Sequence, residues 1–152
     1  MQLIFLDVDG VLNNDCTTTT TSDGWCFVDD YLVKRLARLV HKTQAKVILS
    51  SSWRDGWIAV KHKNNEPFFK ELWSKLFSYG IELYDRTDRW RKSRGEEIQH
   101  YLNNCSNVTN YVILDDVSNF LPNQQSHIIL TNPAIGLTEE DVNNAIAILE
   151  GE

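Results

Sequence analysis

Met1-Gln-Leu-Ile-Phe-Leu-Asp7-Val-Asp9-Gly10-Val-Leu-Asn-Asn14 opens the chain. An apolar run ends on two carboxylates two residues apart, and a glycine follows at once. A strand that delivers paired acids to its carboxyl end is a place for chemistry in an α/β fold. A second apolar run, Tyr111-Val-Ile-Leu-Asp115-Asp116, closes on two more acids. If both strands share one parallel sheet, four carboxylates converge at one edge. Such a cluster is costly unless a cation neutralises it.

The rest of the chain bounds what surrounds these acids. Its 152 residues suit one domain with a real core, read here as 1–152. No run approaches the ~18–20 apolar residues of a membrane span, so no membrane partner is expected. The first strand carries the key acids, which argues against a removable leader. Three cysteines, Cys16, Cys26 and Cys105, read as free thiols in a reducing, cytoplasmic setting. The net charge of −6 argues weakly against a broad nucleic-acid surface but allows a local basic mouth.

Short apolar runs alternate with helix-period segments. Strands are predicted over 2–7, 46–50, 81–85, 111–115 and 127–130, and their continuous apolar character suits a sheet covered on both faces. A helix over 30–41 carries Leu32, Leu36, Leu39 and Val40, with Asp29 or Asp30 as its cap. A helix over 66–79 is predicted to be capped by Asn65 and stopped by Gly80. Ser93-Arg-Gly-Glu96 has the form of a capping box, and Thr138 with Asp141 caps the last helix. The alternation predicts a three-layer α/β domain around a five-stranded, mainly parallel sheet. Residues 12–28, with the run Thr17 to Thr21, are read as a mobile loop over the carboxylate end.

With these residues the chain resembles the haloacid dehalogenase-like (HAD) phosphohydrolase superfamily. Asp7-Val-Asp9-Gly10-Val11-Leu12 matches its first motif. Val47-Ile-Leu-Ser50-Ser51-Ser52-Trp53-Arg54 holds the serine of the second. Lys92 or Arg94 fits the third, and Asp115-Asp116 the fourth. The four stand in the family order across nearly the whole chain. A closer likeness is to small HAD domains with Ser-x-Trp-Arg, Arg-Gly-x-Glu-Ile and Gly-Leu-Thr signatures, here Ser51–Arg54, Arg94–Ile98 and Gly136–Thr138. Such domains occur alone in phage and bacterial proteins and fused to nucleic-acid repair modules.

The resemblance implies a Rossmann-like fold without a cap domain and a phosphatase mechanism. Asp7 would be the nucleophile, forming an aspartyl-phosphate. Asp9 would protonate the leaving oxygen and then activate water. Mg2+ would sit among Asp7, the backbone carbonyl of Asp9, and Asp115 or Asp116, an oxygen-only set suited to a hard ion. A serine would donate to a phosphoryl oxygen; the Ser-x-Trp spacing favours Ser51, with Ser50 the alternative. The fixed cation would be Arg94, favoured by the Arg-Gly-x-Glu-Ile signature, or Lys92. Arg54 is either a solvated charge or a further phosphate or backbone contact.

The substrate is less legible. Neither family insertion point has room for a folded cap, so a phosphorylated substrate larger than a sugar phosphate is expected. The basic residues Arg86, Arg89, Arg91, Lys92 and Arg94, with Trp53, Trp57 and Trp90, lean toward a nucleotide or nucleic-acid end. The acidic total charge leans the other way. Packing is the usual work of such tryptophans, and His62 and His127 are not expected to be ligands. The rival classes are a phosphoprotein or general small-molecule phosphatase and a non-catalytic phosphate-binding module.

Overall fold

The computed structural model describes residues 1–58, 65–89 and 93–151. Five strands form one sheet: β1 (Gln2–Leu6), β2 (Lys46–Leu49), β3 (Leu83–Arg86), β4 (Asn110–Asp115) and β5 (Ile128–Leu130). Their order is β3-β2-β1-β4-β5, and all four pairings are parallel. Among the described residues, α1 (Asp30–Thr43), α2 (Pro67–Ser78) and α3 (Arg94–Asn103) connect successive strands, and α4 (Glu139–Glu150) follows β5. Short 3-10 helices follow β2 (Ser52–Gly56) and precede β5 (Pro122–His127).

The two faces of the sheet bury separate apolar sets, as strand alternation requires. Ile4, Leu6, Val47 and Leu49 pack against α1, α2 and α4. Leu3, Phe5, Ile48 and Ile113 pack against Ile98 of α3 and Phe120. This is the three-layer arrangement expected from the sequence. Seven residues separate β3 from α3, too few for a cap domain.

Several local expectations hold and others shift. Thr138 and Asp141 form the capping box of α4, and the Ser93 hydroxyl accepts from Glu96 N. Asp29 is the N-cap of α1, but its side chain accepts from the Thr17 hydroxyl instead of from the helix. β3 begins at Leu83 because Ile81 N bonds Leu76 O, so Gly80 and Ile81 close α2. His127 ends a 3-10 helix and stacks on Tyr111, at the amino-terminal end of β4.

The cap of α2 is a correction. Asn65 is buried, and its Oδ1 accepts from Ile58 N. The carboxylate of Asp23 receives Phe68 N instead. Asp23 comes from the 12–28 segment, which is tied down: Thr20 bridges Cys26, Ser22 bonds Glu71, and Trp25 stacks on Phe68 at 3.9 Å. Helix-end N–H groups need an acceptor from anywhere within reach, so a distant acid displaced the adjacent asparagine. Cys16, Cys26 and Cys105 are free. Among the described residues no helix is long and apolar enough to cross a membrane.

Candidate active site

The chain leaves β1 toward β2 and β3 on one side and later returns to β4 and β5 on the other. The strand order therefore reverses between β1 and β4, the position where open α/β sheets bind ligands at their carboxyl ends. Asp7 and Asp115 stand there, one beyond Leu6 and one beyond its partner Leu114.

The ladder of hydrogen bonds continues past the strand ends. Asp7 N donates to Leu114 O at 3.0 Å, Ser50 N to Leu6 O at 2.8 Å and Thr87 N to Leu49 O at 3.0 Å. Thr87, Ser50, Asp7 and Asp115 thus form one row across four strands. Alternation puts that row on the face of Phe5, Ile48 and Ile113, the face that α3 covers.

From α3, Arg94 reaches down to the row. Its Nη1 lies 2.7 Å from Asp115 Oδ2 and 3.3 Å from Asp7 Oδ2. Carboxylate oxygens of Asp7, Asp115 and Asp116 lie within 4.8 Å of one another. Gly10 makes room for this approach: a Cβ there would stand 2.3 Å from Asp116 Oδ2, and its φ of +81° is one that L side chains rarely adopt. Burial, with Asp115 adding to it against the pull of Arg94, pushes the Asp7 carboxyl up to about 8. Asp115 is raised too, first by burial and against the opposing effect of Arg94. Arg94 is itself partly desolvated, yet the Asp7 and Asp115 charges hold it above its ordinary value. One guanidinium does not neutralise three close acids. The donor set, oxygen only and short of positive charge, fits a hard divalent cation.

Asp9 stands apart from that cluster. Its Oδ1 accepts from Asn13 Nδ2 at 2.9 Å and from Trp53 Nε1 at 3.3 Å. The same Asn13 receives Gly10 N, and Thr131 donates to Gly10 O, so the turn after β1 is held from both sides. Asn13 and Thr131 carried no sequence signal of their own, because an amide and a hydroxyl become informative only once their partners are known. Asp9 Oδ2 has no hydrogen bond among the described residues.

The two serines differ. Ser51 Oγ accepts from Trp53 N at 3.2 Å and caps the 3-10 helix. Ser50 Oγ is buried without a hydrogen-bond partner and stands in the row beside Asp7. Arg54 is not a solvated charge: it is buried, paired with Glu97 of α3 and bonded to the Thr87 hydroxyl. Trp53 and Trp57 pack in the core against Phe68 and Phe69. Lys92, with His62, Trp90 and Arg91, lies outside the described residues.

Residues 3–142 match the family model described as the HAD domain in Swiss Army Knife RNA repair proteins. The searches of curated proteins and of solved structures returned no match. A carboxylate cluster at the switch point, held by an arginine and carried on the ordered acid motifs, agrees with that match. The chain belongs to the HAD hydrolase superfamily, as a phosphatase-type HAD domain of the kind found in Swiss Army Knife RNA repair proteins.

Proposed function

We propose that the protein is a Mg2+-dependent phosphomonoester hydrolase working through an aspartyl-phosphate on Asp7, with nucleotides or nucleic-acid ends as substrates. The observation that carries the reading is the convergence of Asp7, Asp115, Asp116 and Arg94 at the carboxyl edge of β1 and β4. The description of the matched family, RNA repair, supports the substrate class.

Asp7 and one or both of Asp115 and Asp116 would hold the ion, with the Asp9 carbonyl. When bound, it supplies positive charge that lets an anionic carboxylate approach an anionic phosphate. Asp7 then attacks phosphorus, and the bond to the leaving oxygen breaks. Asp9 delivers a proton to that oxygen from Oδ2, while Asn13 and Trp53 fix Oδ1. In the second half Asp9 takes a proton from water, the water oxygen attacks phosphorus, and Asp7 is released with inorganic phosphate. Arg94 stabilises charge on the phosphoryl oxygens. The buried, unpartnered Ser50 hydroxyl favours it over Ser51 as the serine that donates to the phosphate.

The test is phosphate release with Mg2+ from p-nitrophenyl phosphate, 3′- and 5′-mononucleotides, end-phosphorylated oligonucleotides and phosphopeptides. Wild type and Asp7→Asn are run side by side. The expected result is turnover of nucleotide substrates that falls by at least about 10³-fold in the variant. Turnover that survives Asp7→Asn refutes the covalent mechanism, and a preference for phosphopeptides refutes the substrate class.

A further inference from the structure

Beyond Thr87, the end of the reactive row, a cleft of about 280 Å3 opens between the 3-10 helix after β2 and the end of β3. That is slightly below the ~300 Å3 floor of self-sufficient ligand pockets. Its size is that of a subsite adjoining a main site. Arg54 and Thr87, which line its inner end, belong to the network beside Ser50.

Arg86 forms one wall. Its guanidinium lies 5.3 Å from the centroid of the Trp57 ring, and among the described residues its side chain has no carboxylate and no hydrogen-bond acceptor. The other arginines of the cleft are committed, Arg54 to Glu97 and Arg89 to Asp55. Among the described residues of the cleft, Arg86 is therefore the cation left over, and Asp88 is the acid of the lining outside these pairs. A guanidinium held over an indole face keeps its charge in place and can still meet a ligand on its other side. Ile58, a large apolar side chain 56% exposed, stands on the same rim. A flat cation beside apolar surface suits a planar ring that carries negative charge next to it, which is the chemistry of a nucleotide.

Position makes this cation useful. Arg86 pairs with Leu49, which is level with Leu6, so its Cα lies two strands from β1, ~10 Å at the usual spacing, with its side chain on the Leu49 face and its neighbour Thr87 on the face of Asp7. Arg86 itself belongs to no step of the reaction.

We propose that this cleft is a flanking subsite that binds the nucleotide adjoining the scissile phosphate, with Arg86, backed by Trp57, stacking its base and facing its phosphodiester. The inference rests on the phosphatase reading for its catalytic readout and makes the preferred substrate an oligonucleotide end over a free mononucleotide.

The experiment compares wild type with Arg86→Ala on p-nitrophenyl phosphate, a mononucleotide and the matching end-phosphorylated di- and trinucleotides. It also measures anisotropy of a labelled, end-phosphorylated trinucleotide binding to Asp7→Asn with and without Arg86→Ala. Stacking of one base predicts that kcat/KM rises roughly 10-fold from mono- to dinucleotide in wild type. Arg86→Ala should abolish that rise, keep p-nitrophenyl phosphate turnover within about 2-fold, and weaken trinucleotide binding by a similar factor. No rise in wild type, or an equal loss on every substrate, overturns the subsite while leaving the phosphatase reading intact. An inactive wild type defeats the phosphatase reading, and the binding arm then decides the subsite alone: unchanged affinity in the Arg86→Ala pair overturns it. A phosphopeptide run beside the trinucleotide in both arms, and bound or cleaved better than it, overturns the subsite as well.

Discussion

Arg54 and Glu97 form a buried ion pair between the segment that follows β2 and the first turn and a half of α3; their side chains are 6% and 7% exposed. Glu97 lies three residues after Arg94, on the same side of α3. Arg54 also holds the Thr87 hydroxyl at the end of β3. The pair therefore fixes the helix turn from which Arg94 reaches Asp7 and Asp115. Burial lowers the Arg54 pKa while Glu97 opposes that shift, so the carboxylate is what keeps a desolvated guanidinium tolerable.

Removing one partner should be costly in two ways. Glu97→Ala leaves the Arg54 charge buried and is expected to lose about 3–5 kcal/mol in urea unfolding. A milder change, Arg54→Lys, should keep the fold and lower kcat more than it raises KM, through a displaced Arg94. The check is a cycle with Arg94→Ala: in that background Arg54→Lys should have no further effect on kcat. An undiminished effect there would show that the pair acts independently of Arg94.

The two serines should separate cleanly. Ser50→Ala removes a buried hydroxyl that has no partner, so thermal stability should hold or rise slightly. If that hydroxyl meets the phosphate, kcat/KM falls roughly 10- to 100-fold, the scale of a lost hydrogen bond to a charged group. Ser51→Ala removes the cap on Trp53 N and should cost about 1 kcal/mol of stability, with a smaller effect on turnover. The reverse pattern would restore Ser51 to the phosphate.

Stability and pH should be linked through the acid cluster. The Asp7 carboxyl is pushed from 3.8 to about 8, chiefly by burial. Its folded pKa lies above its unfolded value, so the folded state keeps a proton that the unfolded state has released. Stability contributed this way is full below about pH 4 and falls as pH rises toward about 8. A bound divalent cation favours the ionised form and opposes the fall. Calorimetry in EDTA should give a Tm that declines from pH 5 to pH 8, and the rise caused by Mg2+ should be larger at pH 8. Equal Mg2+ increments at both pH values would contradict this account of the site.

Gly10 is expected to tolerate no side chain. A Cβ would meet the Asp116 carboxylate at 2.3 Å, on a backbone with φ +81°. Gly10→Ala should cost roughly 1–3 kcal/mol from the strained φ. It should also weaken Mg2+ binding by pushing Asp116 off the cluster, measured by calorimetric titration. Unchanged Mg2+ affinity would mean that Asp116 is not a ligand.

The sequence by itself determined the layer architecture and the location of the chemistry. Apolar runs ending in Asp7 and Asp115 are local patterns, and a parallel sheet brings strand ends to one edge whatever the loops do. The capping boxes at Ser93 and Thr138 were legible for the same reason, since donor and acceptor lie within one turn. Only the tertiary structure decided the partners separated by tens of residues. Asp23 caps α2 in place of Asn65, Arg54 goes to Glu97 instead of to solvent, and Ser50 joins Asp7 in the row while Ser51 turns away to cap. A buried donor or acceptor must be matched by whatever the fold brings near, and a serine's direction depends on strand register, which a single residue of uncertainty reverses.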